Sequence, residues 1–401
     1  MSLFDKLQAT ADRLAAAGPG AVPFDTLIER VLSPTEVQID GRRTLMCGSN
    51  NYFGLSFHPE VLAAAHAALD AEGAGTTGSR AANGTYAAHR ELEAQFAAVY
   101  SMRHAQVITT GYQANLGVIA GLCGSGDSVL VDMESHASIY DGAKLSGANV
   151  FAFRHNAPED LRRKLARQPD ATRCLVVIEG LYSISGDVAP VAAFADVCRE
   201  AGALLMVDEA HSFGAYGARG LGQAEAEGAL DRVDFIVGTF SKTLAATGGY
   251  CVSNHDALKL LHFSSRPYVF SASGSPASIA GVSAALRVLE REPERREMLW
   301  SNVRRARAGL RDAGFTIGAT ESPIVPVVVG SAEVAIVFWR ELMQAGVYVN
   351  LMLPPATRPD ACLLRTSYSA AHTASEIDRA IEAFATVGRA LGVVAAPTPV
   401  L

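Results

Sequence analysis

The chain has 401 residues, 49% of them hydrophobic and 19% charged, which is typical of a soluble globular protein and long enough for a large core and two domains. Its net charge of −7, without a block of basic residues, argues against a nucleic-acid-binding surface. The six cysteines are scattered and form no C-x-x-C pair, so the sequence predicts neither a metal site nor a disulfide framework and favours a reducing cytoplasm.

The first 45 residues are predicted to form an N-terminal arm. Charged residues interrupt the apolar side chains of Met1–Ala17, which argues against a signal peptide, and the leucine spacing there is typical of an amphipathic helix. The turn signal Asp40-Gly41 between two short apolar runs predicts a strand pair. Further along, Ile324–Trp339 is the most apolar long window, but its proline, glycine and glutamate argue against an integral membrane segment.

Polar and glycine-rich segments follow the arm. The cluster Ser49–Tyr52, taken alone, indicates a turn because asparagine favours turns. A helix is predicted at His58–Ala71, with a proline at its start, and the segment Gly73–Arg80 after it is rich in glycine and hydroxyl groups. This segment lacks the G-x-x-x-x-G-K-[ST] spacing and follows a helix rather than a strand, so we reject a nucleotide-binding loop.

Short apolar runs then alternate with helical patterns. The runs Gln106–Thr109, Ser128–Val131 and Cys174–Ile178 are short and mostly apolar, without a polar face, which is typical of a parallel sheet covered by helices on both faces. In such a sheet, ligands bind beyond the carboxyl ends of the strands. The residues that follow each run are therefore the candidates for a functional site.

One of these strand ends predicts a phosphate-binding position. A helix is predicted at Tyr112–Cys123, directly after the strand that ends at Thr109. Helix N-termini bind anions through free backbone N–H groups, so Gly111 and Tyr112 are candidates to hold a phosphate group. Thr239 and Ser241 could add hydroxyl donors.

Two further strands are predicted to bring reactive side chains to one crevice. The segment Asp234–Tyr250 presents Lys242 among small side chains, where partial desolvation can make its amine a Schiff-base nucleophile. The run Ala203–His211 carries Asp208 at its end and His211 shortly after. An amine and a carboxylate together suit pyridoxal phosphate, because the aspartate can pair with the pyridinium nitrogen and the histidine can donate to the ring hydroxyl. Taken singly, a surface lysine, a helix N-cap and a core histidine remain alternatives.

The pattern changes in the last third of the chain. A long charged stretch, Ile279–Ala313, is interrupted by Pro293 and predicts two helices. Apolar runs interleaved with further helices indicate a smaller α+β domain, so we predict a large domain over residues 46–275 and a small one over 276–401. Arg365 ends the last apolar run and could bind a carboxylate through two guanidinium nitrogens, with a surface arginine on an edge strand as the alternative.

Several segments, in one order along nearly the whole chain, also carry a family resemblance. They are MCGSNNYFGL at Met46–Leu55, GAGTTGSRAANGT at Gly73–Thr85, HRELE at His89–Glu93, TGYQAN at Thr110–Asn115, ESHAS at Glu134–Ser138, EGLYSISGD at Glu179–Asp187, DEAHSFG at Asp208–Gly214, GTFSKT at Gly238–Thr243 and LRTSYSAAHT at Leu364–Thr373. These segments resemble the α-oxoamine synthases among the fold-type I pyridoxal-phosphate enzymes. The resemblance implies an aspartate-aminotransferase-like α/β fold, with a mostly parallel seven-stranded sheet in the large domain and a smaller α+β C-terminal domain.

The resemblance implies a role for each candidate residue. It implies that the catalytic residues are Lys242, Asp208, His211 and His136, with the imidazole of His136 stacked on the cofactor ring. The other implied contacts are of three kinds: Ser183 beside the ring hydroxyl, Ser271 and Ser273 on the cofactor phosphate across a dimer interface, and Asn51, Tyr52 and Arg365 on the amino-acid substrate. On the sequence alone, the serine pair could instead be turn formers and His136 a helix cap.

The resemblance also implies an activity. The TGSR and NGT pieces of the glycine-rich segment favour a member that condenses L-serine with a long-chain acyl-coenzyme A. The products would be a 3-keto amino alcohol, coenzyme A and carbon dioxide, and the enzyme would be a cytoplasmic homodimer with a shared active site.

Three alternatives stay open at this point. Sister enzymes use alanine (8-amino-7-oxononanoate synthase) or glycine (5-aminolevulinate synthase, 2-amino-3-ketobutyrate ligase). A non-catalytic partner subunit is disfavoured because Lys242 is present. A plain aminotransferase would share both Lys242 and Asp208. An acyl carrier protein could replace coenzyme A as the donor, although the short basic cluster Arg162–Lys164 is more typical of a solvated helix face.

Overall fold

A computed structural model describes residues 4, 5, 7, 8, 11, 12, 26–354 and 356–395. Most of the predicted N-terminal helix therefore lies outside the described residues, as does Pro355. The α-helices in the described ranges are α1 (Pro59–Glu72), α2 (Ala87–Tyr100), α3 (Gly111–Leu122), α4 (Ala137–Ser146), α5 (Pro158–Leu165), α6 (Val191–Ala201), α7 (Gln223–Ala226), α8 (Ala257–Ser264), α9 (Arg266–Phe270), α10 (Pro276–Arg291), α11 (Glu294–Asp312), α12 (Ala332–Gln344) and α13 (Ala374–Ala390).

The strands include the predicted apolar runs and others that were not predicted, such as Asn149–Phe153. They are β1 (Arg30–Val31), β2 (Glu36–Ile39), β3 (Arg42–Met46), β4 (His104–Ile108), β5 (Ser128–Asp132), β6 (Asn149–Phe153), β7 (Cys174–Glu179), β8 (Leu204–Asp208), β9 (Phe235–Thr239), β10 (Gly249–Ser253), β11 (Thr316–Ile317), β12 (Ile324–Gly330), β13 (Val347–Tyr348), β14 (Asn350–Met352) and β15 (Cys362–Ser367). The two helices predicted on either side of Pro293 are confirmed as α10 and α11.

The chain divides into two compact units. The large unit comprises Phe53–Ser183 and Asp187–Arg296, and the small unit comprises Met1–Tyr52, Ile184–Gly186 and Glu297–Leu401. The domain boundaries predicted at residues 45 and 275 stay a prediction.

A seven-stranded sheet with the order β4-β10-β9-β8-β7-β5-β6 forms the large unit. The pairs from β9 through β6 are parallel, whereas β10 is antiparallel to both β9 and β4, which confirms the predicted mostly parallel sheet. All six residues of β7 and all five of β9 are buried, because helices cover both faces of such a sheet and leave no polar side.

Apolar side chains between the sheet and its helices form the main core. Helix α3 packs against α4, α8 and the strands β9 and β10. The cluster includes Val118, Val129, Val177, Met206 and Val237, all fully buried. Burial of each such side chain stabilises the fold by roughly 1.5–3 kcal/mol, so the strand ends beside this core are held rigidly.

The small unit contains two separate sheets. One has the order β1-β2-β3-β13, and its hairpin turn uses Asp40 and Gly41 with φ values of 48° and 72°, which confirms the predicted strand pair. The other has the order β11-β12-β15-β14, and all its pairs are antiparallel. None of the helices that the structure describes has both the length and the apolar character needed to cross a bilayer.

The backbone at Thr77 gives a stability prediction. This exposed, β-branched residue has a φ of 54°, a conformation that costs L-residues with a Cβ roughly 1–2 kcal/mol. The greater freedom of glycine in the unfolded chain offsets part of this gain, so we expect Thr77→Gly to raise the melting temperature of this 401-residue protein by roughly 1 °C. Thr77→Ala retains the Cβ and should gain less, and equal gains from both variants would contradict the strain account.

Candidate active site

A cavity of about 340 Å³ opens at the carboxyl ends of the parallel strands in the large unit. Its lining residues are Thr110, Gly111, Tyr112, Asn115, His136, Ser138, Glu179, Asp208, Ala210, His211, Gly238, Thr239, Ser241, Lys242, Thr247 and Gly248. They follow β4, β5, β7, β8 and β9, as the predicted topology requires. The volume lies in the range of small-molecule and cofactor sites.

Lys242 stands in a tight loop after the buried strand β9. Phe240 N donates to Gly248 O at 2.9 Å and closes the loop, and Thr243 Oγ1 donates to Phe213 O at 2.8 Å behind it. A Cβ on Gly248 would lie 2.1 Å from the ring of Phe240, so the loop requires glycine there. The loop therefore holds a half-buried amine at the cavity wall.

Asp208 ends β8 and is almost fully buried, with 6% of its surface exposed. Its Oδ2 accepts a hydrogen bond from Asn115 Nδ2 at 2.7 Å, and its Oδ1 accepts one from Ala210 N at 2.9 Å. A buried carboxylate needs such donors because the loss of water would otherwise be costly. His211, also buried, lines the same cavity, and the cofactor-binding roles of Asp208 and His211 stay predictions.

His136 precedes α4 and contacts two other elements. Its backbone N–H donates to Glu179 Oε1, its Nδ1 lies 2.8 Å from Ser138 Oγ, and the ring of Tyr112 approaches it edge-on with centroids 6.2 Å apart. Desolvation by the surrounding protein lowers the pKa of His136 below its ordinary value, although part of the residue is exposed. The imidazole is therefore predominantly neutral near pH 7.

Helix α3 points its N-terminus at the cavity. Thr110 caps the helix by accepting from Gln113 N at 3.1 Å. A Cβ on Gly111 would lie 2.6 Å from Thr239 Cβ, so the close approach of this helix to β9 requires glycine. The hydroxyls of Thr239 and Ser241 lie 2.9 Å apart beside it, which gives the free N–H groups two neighbouring hydroxyl donors for an anion.

The structure brings most of the predicted cofactor residues together. Those lining the one cavity are Gly111, Tyr112, His136, Asp208, His211, Thr239, Ser241 and Lys242. Ser183, Ser271 and Ser273 do not line it. Ser273 Oγ instead donates to Gly84 O at 2.7 Å, and Ser271 Oγ accepts from Gln113 Nε2 at 3.0 Å, so the cross-subunit role of this pair stays a prediction.

Among the cavity residues that were not predicted are Asn115, Ser138 and Glu179. Glu179 ends β7 directly beside Asp208 on β8, so the strand-end criterion that identified Asp208 applies to it equally. Burial, reinforced by the charge of Asp208, raises the pKa of Glu179 to about 8. Asn115 and Ser138 lie inside helices, where polar residues carry no such positional signal.

The chemistry of these side chains fits pyridoxal phosphate. A carboxylate suits the ring nitrogen, a lysine amine suits the aldehyde, and a helix N-terminus with two hydroxyls suits the phosphate. Glycines at positions 111 and 248 keep the walls free of side chains. Among the described residues, no cluster of three histidine, cysteine, aspartate or glutamate side chains could hold a metal ion.

The predicted substrate residues lie in the small unit. Arg365 stands on β15, which is an interior strand, and only 4% of its surface is exposed, so the edge-strand alternative was wrong. Its guanidinium donates to Asn50 Oδ1 at 3.0 Å, and Ser369 Oγ donates to Asn51 O at 2.7 Å. Tyr52 is buried, which raises its pKa to about 12. Asn50 is thus an unpredicted partner of the arginine.

Comparisons with known proteins identify the family and the fold of the chain. A family model described as aminotransferase class I and II matches residues 44–384. Serine palmitoyltransferase from Caulobacter vibrioides is 50% identical over 396 residues, covering 98% of each chain, and that from Sphingomonas paucimobilis is 43% identical, covering 98% of this chain and 94% of that protein. A solved structure described as SPT with PLP internal aldimine has a TM-score of 0.94 at 43% identity and covers 98% of this chain and 100% of its own. The fold predicted by resemblance is confirmed.

Glu179 gives a pH-dependent stability prediction. The folded protein keeps a proton on this carboxyl up to about pH 8, whereas the unfolded chain releases it near pH 4.5. The stabilisation is therefore complete below pH 4.5 and is lost as the pH rises towards 8, with a slope of at most about 1.4 kcal/mol per pH unit.

Glu179→Gln should remove this contribution, because a glutamine oxygen still accepts from His136 N but does not ionise. Denaturant unfolding of cofactor-free protein across this pH window measures the difference in slope. The exposed Glu294→Gln variant is the control and should keep the slope of the parent protein. Parallel slopes for Glu179→Gln and the parent would contradict the assignment.

Proposed function

The chain belongs to the aminotransferase class I and II family, and we propose that it catalyses the serine palmitoyltransferase reaction. This reaction condenses L-serine with palmitoyl-coenzyme A and releases coenzyme A and carbon dioxide. The observation that carries the proposal is the meeting of Lys242, Asp208 and His136 in one cavity, in a chain half identical to a serine palmitoyltransferase along almost its whole length.

Pyridoxal phosphate, when bound, supplies a ring that accepts negative charge from the Cα of the amino acid. Lys242 holds the cofactor aldehyde through its amine and then takes the Cα proton. The Asp208 carboxylate accepts from the ring nitrogen and keeps it protonated, so the ring remains a strong electron acceptor. His136 covers one face of the ring, and the N-terminus of α3 holds the phosphate with Thr239 and Ser241.

The remaining assignments complete the proposal. His211 and Ser183 donate to the ring hydroxyl. Arg365 binds the carboxylate of L-serine, supported by its buried guanidinium and its pairing with Asn50, while Asn51 and Tyr52 contact the rest of the amino acid.

The donor and the assembly are also proposals. The acyl donor is the coenzyme A thioester, with an acyl carrier protein as the competing donor. The enzyme is a homodimer in which Ser271 and Ser273 serve the cofactor phosphate bound by the other subunit. A cytoplasmic location is supported by six cysteines that are all free.

Product analysis tests the proposed reaction. Purified protein supplied with pyridoxal phosphate, L-serine and palmitoyl-coenzyme A should release carbon dioxide and coenzyme A in equal amounts with the 3-keto amino alcohol. Turnover with alanine or glycine instead of serine would assign a sister reaction. Amino transfer to a keto acid without release of carbon dioxide would refute the acyltransferase.

Lys242→Ala should lose the visible absorbance of bound pyridoxal phosphate and at least roughly 10²–10⁴-fold of the condensation rate, because no other amine is assigned to hold the aldehyde or take the Cα proton. Lys259→Ala, which alters an exposed lysine on α8, is the matched control and should change neither quantity. Normal absorbance and turnover in Lys242→Ala would contradict its role.

Substitution of Arg365 should weaken the binding of L-serine and not that of the acyl thioester. Loss of a charge-assisted hydrogen bond to the substrate carboxylate should raise the KM for L-serine roughly 10–100-fold in Arg365→Ala, while the KM for palmitoyl-coenzyme A stays constant. Arg365→Lys keeps the charge but not the planar pair of donors, so its KM for L-serine should lie between that of the parent protein and that of Arg365→Ala. A raised KM for the thioester with an unchanged KM for serine would place Arg365 elsewhere in the reaction.

A further inference from the structure

The buried side-chain amide of Asn115 connects Asp208 to His136 through hydrogen bonds. Asn115 stands one turn into α3 and exposes 2% of its surface. Its Nδ2 donates to Asp208 Oδ2 at 2.7 Å and to Ser138 Oγ at 2.9 Å, so both amide hydrogens are used. Ser138 Oγ in turn lies 2.8 Å from His136 Nδ1. A continuous hydrogen-bonded chain therefore runs from Asp208 to His136.

The Asp208 carboxylate sets the direction of the two Asn115 bonds in this chain. A carboxylate only accepts, so the amide group facing it at 2.7 Å must be the NH2 of Asn115. The reverse amide orientation would place two acceptor oxygens against each other. With the nitrogen fixed there, Ser138 Oγ receives a hydrogen from Asn115 rather than giving one to it.

Ser138 approaches the imidazole of His136 with two groups. Its backbone N–H, which can only donate, donates to His136 Nδ1 at 3.2 Å and makes that nitrogen an acceptor. The Ser138 hydroxyl, whose oxygen accepts from Asn115, must then give its own hydrogen to Nδ1. Two donors converge on Nδ1, which must then be the unprotonated nitrogen of a neutral imidazole, with the proton on Nε2.

We infer that Ser138 is a positioning residue that keeps the proton of His136 on Nε2, and that Asn115, held by the Asp208 carboxylate, orients the Ser138 hydroxyl for this role. On the proposed function, His136 thereby presents an N–H donor to the carboxylate of the amino-acid substrate. The same aspartate that pairs with the cofactor ring thus also holds the residues that set the tautomer of the histidine that covers it.

The tautomer can be observed in cofactor-free protein. Long-range nitrogen–proton correlation spectra of nitrogen-15 histidine-labelled protein distinguish the two ring nitrogens, and His136→Gln identifies the signal among the ten histidines. We expect the proton on Nε2. A proton on Nδ1 in the parent protein would overturn the inference, whether or not the protein catalyses the proposed reaction.

The hydroxyl of Ser138 should also set the pKa of His136. A donor to Nδ1 stabilises the neutral ring, so Ser138→Ala should raise this pKa by about half a pH unit to one unit. The titratable groups near the ring are Asp208, Lys242, Asp141 and Glu179, and all are retained in the variant, so the difference isolates the hydroxyl.

Ser135→Ala is the matched control, because the described residues offer the hydroxyl of Ser135 no hydrogen-bond partner, and it should leave the pKa of His136 unchanged. Asn115→Ala combined with Ser138→Ala should shift that pKa no further than Ser138→Ala alone, since both act through one chain. Additive shifts, or an unshifted pKa in Ser138→Ala, would overturn the inference.

Kinetics supply the link to the reaction. Ser138→Ala should raise the KM for L-serine roughly threefold to tenfold and leave the KM for palmitoyl-coenzyme A unchanged. If the spectra show the expected tautomer but no condensation occurs with any amino acid, the proposed function fails and the positioning inference stands. If condensation occurs but the KM for both substrates rises equally, the positioning inference fails.

Discussion

The site depends on one constraint: the carboxylate of Asp208 is removed from water and must be hydrogen-bonded where it lies. Its two oxygens are held by Asn115 Nδ2 and by the backbone N–H of Ala210. Glu179 stands beside it on the neighbouring strand, and the proximity of the two carboxyls helps to keep Glu179 protonated. A buried carboxylate that only accepts therefore sets the protonation of its neighbours, and a positively charged ring nitrogen is the natural partner for it.

The parallel sheet makes this arrangement possible. Residues from four consecutive places in the sheet order, the ends of β9, β8, β7 and β5, meet at one edge although they are far apart in sequence. The rigid core beneath that edge fixes their separations, while tight glycine-containing loops leave an open cavity above it. The same scaffold directs the N-terminus of α3 at the cavity, so acid, amine and anion-binding groups face one space.

Much of the site could be predicted from the sequence, because polar residues that follow an apolar run indicate the end of a strand. Lys242 and Asp208 each stand at the end of an apolar run. The glycine at position 111 begins a helix directly after another apolar run. Asn115 and Ser138 could not be predicted, since their roles arise from side-chain contacts between separate elements. The family resemblance assigned Asn51 to the substrate and not its neighbour Asn50, and only the folded structure shows that the Asn50 side chain contacts Arg365.

The proposed function requires Lys242 to be the residue that holds the cofactor. Reduction of the protein with borohydride in the presence of pyridoxal phosphate traps the cofactor on the amine that bears it, and peptide mass mapping then locates the label. We expect a single stoichiometric label on the Nζ of Lys242. A label on any other lysine, with Lys242 unmodified, would contradict it.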